Sequence, residues 1–225
     1  MMKMFSSIIS LIYPFSCVCC GKETNNKTPI CLFCYNDINF IYSKERTKTL
    51  FYGRLNLNFA SSLFYFEEKK VSQKIIHALK YESNKKIGVF FGKKIGLLIK
   101  DNVEEYKIDF LVPIPIHHKR KYKRGYNQSE CLSKGISEIC KIQLNTSFLI
   151  KARNNKSQSK QTGINRWKNS SQNFSVNQNI NPKHVLLVDD VITTGATIED
   201  AAKTILSVFP DIQISIVSLA ISKSK

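Results

Sequence analysis

Two adjacent carboxylates and a run of small and hydroxyl-bearing residues stand close together near the C-terminus of the chain. Asp189 and Asp190 directly follow an apolar run, and Thr193-Thr194-Gly195-Ala196-Thr197 comes next. Backbone N–H groups and hydroxyls at the start of a helix form a natural cradle for a phosphate. Acids and a phosphate cradle in one segment suit the parts of a sugar phosphate.

A strand and a helix must position these residues. The run Val185–Val188 is continuous and β-branched, which predicts a buried parallel strand. The acids then lie at its C-terminal end, where open α/β sheets bind ligands. A helix should follow, with one apolar face made by Ile198, Ala201, Ala202, Ile205, Leu206 and Phe209. An ordinary strand–turn–helix with surface acids is the alternative, and the lack of a G-x-x-x-x-G-K-[ST] motif disfavours a P-loop NTPase.

Four cysteines near the N-terminus have the spacing of a metal site. The pattern C-x-x-C…C-x-x-C is formed by Cys17, Cys20, Cys31 and Cys34. Two such pairs can hold zinc tetrahedrally, and Gly21 would let the chain turn sharply after the first pair. Cys19 lies inside that pair, but the spacing favours Cys20 as the ligand. Disulfides are the alternative, and they need an oxidising compartment that nothing else in the sequence indicates.

Length and charge limit the class of protein. The 225 residues can hold one α/β domain and a small appendage, and an N-terminal segment of about forty residues rarely folds without a staple such as a metal. The formal charge is +17, from 34 Lys and Arg against 17 Asp and Glu. This excess suits phosphates or nucleic acid, although AT-rich coding would also produce a chain rich in Lys, Asn and Ile.

The first residues resemble a signal peptide faintly. Met1–Phe15 contains Lys3 and a short apolar stretch from Ile8 to Tyr13. The segment has no long apolar core and no small-x-small cleavage site, and it is too short to span a bilayer. We therefore expect a short helix docked on the protein body, and a cytoplasmic protein.

The middle of the chain predicts further elements of an α/β fold. Aromatic and apolar residues indicate a strand over Phe51–Phe66, and helical spacing predicts helices over Val71–Tyr81 and Ile87–Lys100. The apolar strand Asp109–Val112 should end at Pro113, because proline cannot continue a central ladder. The apolar side of a later helix consists of Cys131, Leu132, Ile136, Ile139 and Cys140. Its two thiols are most simply interpreted as packed side chains.

A strongly basic stretch lies between that strand and the later helix. The segment Pro113-Ile-Pro-Ile-His117-His118 leads into Lys119, Arg120, Lys121, Lys123 and Arg124, and then into Gly125-Tyr-Asn127-Gln128. A cationic loop in this place could hold a pyrophosphate and stabilise it as a leaving group. A solvated basic turn is the alternative, because charge runs are common. The acids and the hydroxyl loop favour pyrophosphate binding.

The remaining motifs follow in a recognisable order. After the cysteine pairs come Ile76-His-Ala-Leu-Lys80-Tyr81, Val112-Pro-Ile-Pro-Ile-His117, Arg124-Gly-Tyr-Asn-Gln128, Gln158…Arg166-Trp-Lys-Asn169 and the Asp189-Asp190 segment. From Cys17 to about Ala220 the chain resembles the ComF family of competence-associated phosphoribosyltransferases. The resemblance implies a zinc-finger segment (residues 1–45) and a domain (residues 46–225) with the parallel sheet and flanking helices of a type I phosphoribosyltransferase.

The resemblance also assigns roles to residues. Its ligand would be phosphoribosyl pyrophosphate (PRPP) with Mg²⁺, and Asp189 and Asp190 would hydrogen-bond the ribose hydroxyls as the catalytic pair. The loop that wraps PRPP and its 5-phosphate would consist of Val191, Thr193, Thr194, Gly195, Ala196 and Thr197. Pyrophosphate contacts would come from His117, Arg124, Asn127 and Gln128. Structural zinc would be held by Cys17, Cys20, Cys31 and Cys34.

One segment departs from the family pattern. Asn154–Asn169 corresponds to a mobile segment that closes over PRPP in related enzymes, and its composition is that of a flexible loop. This chain has Gly163 where the family has a basic residue, and Asn165 where it has an acid. We therefore expect the lid to close differently.

Three functions remain open on the sequence. The first is a PRPP-binding protein of DNA uptake in natural transformation, which supports the handling of single-stranded DNA in the cytoplasm, with DNA and other uptake proteins as partners. The second is a salvage phosphoribosyltransferase that uses a free base. The third is a zinc-ribbon nucleic-acid binder with a vestigial PRPP site. The acceptor of any transfer is not indicated.

Overall fold

The computed structural model describes residues 15–24, 28–43, 45–81, 84–151 and 173–223. The strands are β1 (Ala60–Phe66), β2 (Phe110–Pro113), β3 (Gln143–Leu144), β4 (Leu149–Lys151), β5 (Phe174–Val176), β6 (His184–Ile192) and β7 (Gln213–Ser222). Five of them form a parallel sheet in the order β1-β7-β6-β2-β3, and β4 pairs with β5 in a separate antiparallel ribbon. The expected parallel sheet flanked by helices is confirmed.

Helices occupy the connections. They are α1 (Leu32–Asn36), α2 (Arg46–Thr49), α3 (Val71–Tyr81), α4 (Lys85–Glu105), α5 (His118–Arg124), α6 (Gln128–Cys140) and α7 (Ala196–Val208). Among the described residues, none of these helices is long and apolar enough to cross a membrane. The helix that we expect over the first residues falls on residues 1–14, which lie outside the described ranges.

The central strand β6 separates two apolar layers. Val185 and Leu187 pack into one layer with α7, while Leu186 and Val188 pack into the other with α3, α4 and α6. All four side chains are fully buried. A strand covered on both faces needs apolar residues at every position, which is why its sequence is continuous rather than alternating.

Several boundaries differ from the sequence prediction, and β2 includes Pro113, which was expected to end it. Only Ala60–Phe66 of the apolar stretch is a strand, because the chain turns at residues 50–54, where Gly53 has φ of 72°. The apolar residues before the strand are buried for another reason: Phe51 and Leu57 fill the layer that contains α7. The fourth helix is also longer than predicted, since the Asn84 side chain accepts from the Ile87 N–H at 3.3 Å and caps its start.

Glycines let α4 and α6 approach backbone to backbone. A Cβ atom on Gly92 would lie 2.1 Å from the Leu132 carbonyl oxygen, and one on Gly135 would lie 2.3 Å from that of Val89. Neither contact is possible for a real side chain, so the crossing requires glycine at both positions. The crossing fixes α6, and α6 begins at the candidate site.

Candidate functional site

The acid pair lies at the carboxyl end of β6, as predicted. The strand continues through both acids to Ile192, so Asp189 and Asp190 stand on rigid backbone rather than in a loop. The Asp189 carboxylate accepts from its neighbour's N–H at 2.8 Å and from the Ser129 hydroxyl at 3.3 Å. Burial, followed by the adjacent charge of Asp190, raises the pKa of Asp189.

Lys80 supplies a counter-charge that the sequence analysis assigned no role. It lies in the last turn of α3, and its Nζ is 3.4 Å from Asp190 Oδ2. The Lys80 side chain is 25% exposed and that of Asp190 is 16% exposed, so water screens the pair only in part. Its motif, Ile76–Tyr81, was noted for its family resemblance, but no local pattern connects it with the acids.

The hydroxyl loop forms the predicted turn into a helix. Gly195 precedes α7 with φ of 77°, a conformation that favours glycine. A Cβ atom there would lie 2.7 Å from the Phe51 ring, so the loop also packs on the turn before β1. Thr193, Thr194 and Thr197 are exposed. The exposed loop at the start of a thirteen-residue helix has the form of a phosphate cradle.

The basic stretch is helical, which corrects the expectation of a loop. Residues His118–Arg124 form α5, which is capped by the His117 side chain at its start and by Gly125 in the left-handed conformation at its end. A glycine after a basic last turn is a helix-stop signal, and it was present in the sequence. The helix has no buried residue, so hydrophobic periodicity could not reveal it.

Several contacts bring the basic motif to the end of β6. The Ile114 N–H donates to the Val188 carbonyl at 2.9 Å, and the Asn127 Nδ2 donates to the Ile114 carbonyl at 3.0 Å. The Tyr126 hydroxyl donates to the Leu79 carbonyl, beside Lys80. These bonds join three of the motifs around the acid pair.

The four predicted pyrophosphate residues differ in their surroundings. Asn127 and Gln128 are almost fully buried. Asn127 also caps α6 by accepting from the Ser129 N–H at 3.1 Å. Gln128 Oε1 accepts from Arg124 at 2.9 Å, whereas its buried Nε2 has no partner among the described residues.

Arg124 and His117 lie nearer the surface. The Arg124 guanidinium lies 5.6 Å from the centre of the Tyr81 ring. His117 contacts the His118 ring at 4.1 Å. Desolvation and then the charges of His118 and neighbouring cations lower the pKa of His117, so it is neutral at pH 7. Each predicted residue is therefore in or beside the basic motif, but no described contact joins His117 to the acids.

The four cysteines converge as predicted. Their sulfur atoms all lie within 4.8 Å of one another, and the Cys20 and Cys31 sulfurs are 3.7 Å apart. Tetrahedral zinc with Zn–S bonds of about 2.3 Å would hold sulfurs about 3.8 Å apart, so the cluster fits the metal. A disulfide would instead bring two sulfurs to about 2.05 Å.

Sulfur geometry, and not acidity, distinguishes the cluster from the remaining thiols, because burial also raises the pKa of the Cys34 thiol within the cluster. Burial opposes the Cys17 thiolate, but backbone N–H groups of Cys31, Cys19 and Cys20 outweigh it and lower the pKa of Cys17 to about 6. Burial raises the pKa of Cys19 to about 12, and its sulfur is not among the four that converge. Burial also raises the pKa of Cys140 to about 11. Cys140 and the buried Cys131 are packed thiols, as expected.

The predicted lid is not part of the described site. Asn154–Asn169, with Gly163 and Asn165, lies within residues 152–172, which fall outside the described ranges.

Comparison with known proteins agrees with this arrangement. Residues 118–225 match the phosphoribosyl transferase domain family. The chain is 28% identical over 135 residues to Competence protein F of Haemophilus influenzae, which covers 57% of this chain and 59% of that protein. It is 29% identical over 98 residues to the DNA utilization protein YhgH of Escherichia coli K12, covering 44% of this chain and 43% of the relative.

A third relative is Competence protein ComFC of Bacillus subtilis. The identity is 33% over 96 residues, which cover 43% of this chain and 38% of ComFC. The chain thus spans between about two fifths and three fifths of the length of these relatives.

The fold and the site define a phosphoribosyltransferase-like protein. Within that class, the chain is similar in sequence to Competence protein F and ComFC, and its cysteine cluster precedes the matched region.

Proposed function

We propose that the protein binds PRPP with Mg²⁺ and serves DNA uptake in natural transformation, where it supports the handling of single-stranded DNA in the cytoplasm. The convergence of the acid pair, the hydroxyl loop and the basic helix at one edge of the sheet supports this proposal. The named relatives, a competence protein and a DNA utilization protein, support the biological setting.

Each part of PRPP has a candidate partner. Asp189 and Asp190 would accept from the ribose hydroxyls, and the loop Val191–Thr197 would donate backbone N–H groups and hydroxyls to the 5-phosphate. Bound Mg²⁺ would reduce the charge of the pyrophosphate, using mostly oxygen atoms of the ligand and of water. The hydroxyl-bearing residues Thr193, Thr194 and Thr197 are exposed, whereas the two acids are only partly exposed.

The pyrophosphate would face the basic helix. Arg124 carries the charge that suits a leaving pyrophosphate, and Gln128 holds that guanidinium at 2.9 Å. Asn127 would act by fixing the backbone at Ile114 rather than by contact, because both ends of its amide are already bonded. His117, neutral at pH 7, would serve as a hydrogen-bond partner.

The N-terminal segment would be a structural zinc finger. Cys17, Cys20, Cys31 and Cys34 would hold the metal, with residues 1–45 as the finger and residues 46–225 as the phosphoribosyltransferase-like domain. Cys17, Cys19 and Ile30 pack into the same apolar cluster as α3 and α4. The metal would thus stabilise a segment that contributes to the main core.

Calorimetric titration with PRPP and Mg²⁺ tests the ligand. The unmodified protein should bind, and Asp189→Asn together with Asp190→Asn should abolish binding, because neutral amides cannot replace two carboxylate acceptors. If the unmodified protein shows no binding, the proposed function is wrong. Binding would also exclude the alternative of a vestigial site.

Pyrophosphate release separates the proposal from nucleotide salvage. A panel of free purine and pyrimidine bases should give no base-dependent release if the protein is an uptake factor. Rapid release with one base would favour the salvage enzyme.

Helix α5 is the candidate surface for single-stranded DNA. Tyr122 is 94% exposed on it, among Lys119, Arg120 and Lys123, which are also exposed. Exposed aromatic rings among cations stack on bases and attract the phosphate backbone. The surface adjoins the candidate pyrophosphate site, so DNA would lie beside bound PRPP.

Binding of a single-stranded oligonucleotide, followed by fluorescence anisotropy, tests this surface. Binding should weaken steeply with salt, and Tyr122→Ala should weaken it by roughly tenfold, since stacking of one base is worth about 1–3 kcal/mol. The matched control is Tyr42→Ala, because Tyr42 is 90% exposed elsewhere in the chain. A flat salt response would show that the charge reflects composition.

A further inference from the structure

An arginine from outside the matched region, residues 118–225, also contacts the candidate site. Arg54 lies in the turn before β1, yet its guanidinium contacts residues 140 and 145 positions away in the sequence. Its Nη1 donates to the Thr194 carbonyl at 2.8 Å, and its Nε donates to Glu199 Oε2 at 2.8 Å. Thr194 belongs to the hydroxyl loop, and Glu199 lies in the first turn of α7.

We propose that Arg54 is a positioning residue for the 5-phosphate, which it serves by holding the Thr194–Gly195 peptide and by neutralising Glu199. This inference rests on the proposed binding of PRPP and goes beyond it, since none of the predicted contacts includes Arg54. The residue would act through the loop rather than by touching the ligand.

The contact of Arg54 with the Thr194 carbonyl fixes the direction of one peptide group. In a trans peptide the carbonyl and the N–H point in opposite directions. The Thr194 carbonyl points at Arg54, so the Gly195 N–H points away from it. Phe51 supports the same loop, since a Cβ atom on Gly195 would lie only 2.7 Å from its ring. The turn at residues 50–54 therefore holds the loop on one side, and the Gly195 N–H points to the opposite side.

Arg54 also changes the net charge at the start of α7, because it pairs with Glu199. Glu199 places a carboxylate in the first turn of the helix that would receive a phosphate dianion, and its side chain is 18% exposed. Lys203, at 2.6 Å on Oε1, and Arg54 lower the pKa of Glu199, so it is ionised. An unneutralised carboxylate there would repel the phosphate. Arg54 lies on the side of Oε2 and contacts the loop as well, whereas no described contact joins Lys203 to the loop.

Binding of three ligands tests the parts of the PRPP site separately. Ribose 5-phosphate reports the 5-phosphate cradle, pyrophosphate with Mg²⁺ reports the other end, and PRPP with Mg²⁺ reports both. Arg54→Ala should weaken the binding of ribose 5-phosphate and of PRPP by about tenfold or more, because it removes charge-assisted hydrogen bonds. Pyrophosphate affinity should not change, and this result also shows that the variant is folded.

Two further variants separate position from charge. Arg54→Lys keeps the charge but cannot span two acceptors with a planar fork, so it should restore ribose 5-phosphate binding only in part. Lys203→Ala removes a cation from the same carboxylate without touching the loop, and it should weaken binding by less than twofold.

Two outcomes would overturn the inference. If Arg54→Ala binds ribose 5-phosphate as tightly as the unmodified protein, the residue has no positioning role. If Arg54→Ala and Lys203→Ala weaken the binding of all three ligands equally, the effect comes from the overall charge of the protein and not from the position of Arg54. Failure of the unmodified protein to bind PRPP is a different result, which refutes the proposed function itself.

Discussion

At the residue scale, Lys80 and the preceding Leu79 connect the end of α3 to two distant motifs. The Lys80 ammonium lies beside Asp190, while the carbonyl of Leu79 accepts from Tyr126 in the basic motif. The C-terminus of α3 is thereby tied to both sides of the site. Neither contact can be read from the sequence, because each joins elements that are far apart along the chain.

Replacing Lys80 should weaken PRPP binding and shift its pH dependence. Lys80 lowers the pKa of Asp189, although burial and Asp190 raise it overall. Lys80→Met would therefore leave more Asp189 protonated at pH 7, and a protonated carboxyl is the poorer acceptor. We expect calorimetry to show a loss of roughly three- to tenfold, which higher pH reverses.

Lys93→Met is the matched control for Lys80→Met. Lys93 pairs with the exposed Glu138 at 2.6 Å on another part of the surface. Its replacement should leave PRPP affinity and the pH profile unchanged. Equal effects of the two replacements would show that overall charge, not the Lys80 contact, matters.

His184 makes the stability of the fold depend on pH. It is 2% exposed at the start of β6, with Nδ1 3.0 Å from the Tyr106 carbonyl and Nε2 2.9 Å from the Ser215 hydroxyl. A carbonyl only accepts, so Nδ1 carries the proton and Nε2 accepts from the hydroxyl. Burial lowers the pKa of His184 below its ordinary 6.5.

The unfolded chain therefore binds a proton at this histidine more readily than the folded one. Stability from a neutral His184 is complete above pH 6.5 and should fall as the pH drops below that value toward the lower folded pKa. Urea unfolding between pH 7.5 and about 5 measures this slope. His184→Gln should flatten it, whereas replacement of the exposed His118 should not. An unchanged slope in His184→Gln would contradict the assignment.

At the element scale, the α4–α6 crossing controls the site from a distance. Gly92 and Gly135 let the two backbones touch, and α6 presents Ser129 to Asp189 at its first turn. A change in the crossing would move that turn relative to β6. Packing between helices is thus a condition of the site's geometry.

Gly92→Ala should destabilise the protein and weaken its site together. The new methyl group would have to displace the Leu132 carbonyl, and such overpacking costs about 1–3 kcal/mol. Urea unfolding should show this loss in the free energy of unfolding, and PRPP affinity should fall as α6 shifts. Leu97→Ala on the same helix is the control, since Leu97 is 62% exposed. Equal stability of the two variants would mean that the helices can separate without cost.

Much of the fold could be predicted where a local pattern reports burial. The apolar run of β6 and the periodicity of α7 gave the strand, the acids and the loop in their observed places. Helix α5 was mistaken for a loop because none of its residues is buried. The turn around Phe51 was mistaken for a strand because its apolar residues bury against the hydroxyl loop rather than in a ladder. The contacts of Lys80 and Arg54 had no local signal at all.

At the scale of the whole molecule, the cysteine cluster stabilises more than its own segment. Ile30 and Cys19 share a cluster with Ile75 and Phe91 of α3 and α4. The rings of Phe15 and Tyr35 also lie 5.3 Å and 5.4 Å from the ammonium groups of Lys86 and Lys94. Loss of the metal should therefore loosen the helices that face the sheet.

Chelation should lower the thermal stability of the whole chain. We expect metal analysis to find one zinc per chain. A chelator should reduce the melting temperature, because the four thiolates lose the metal ion that they share. Cys34→Ser should lose the metal. Cys19→Ala should retain it, since this buried thiol is not part of the cluster. Loss of zinc in Cys19→Ala would mean that the ligand set is wrong.

The strand order also has a consequence for how the chain is made. Strand β7 inserts between β1 and β6, and the Ser62 and Ser218 hydroxyls that meet across β1 and β7 at 2.7 Å are 156 residues apart in sequence. During synthesis, β1 emerges early and waits with an unpaired edge until almost the whole described chain has left the ribosome. Contacts of such long range make folding slow. The cysteine pairs emerge before β1, so a metal bound there would let the segment cover part of the apolar surface before the sheet closes.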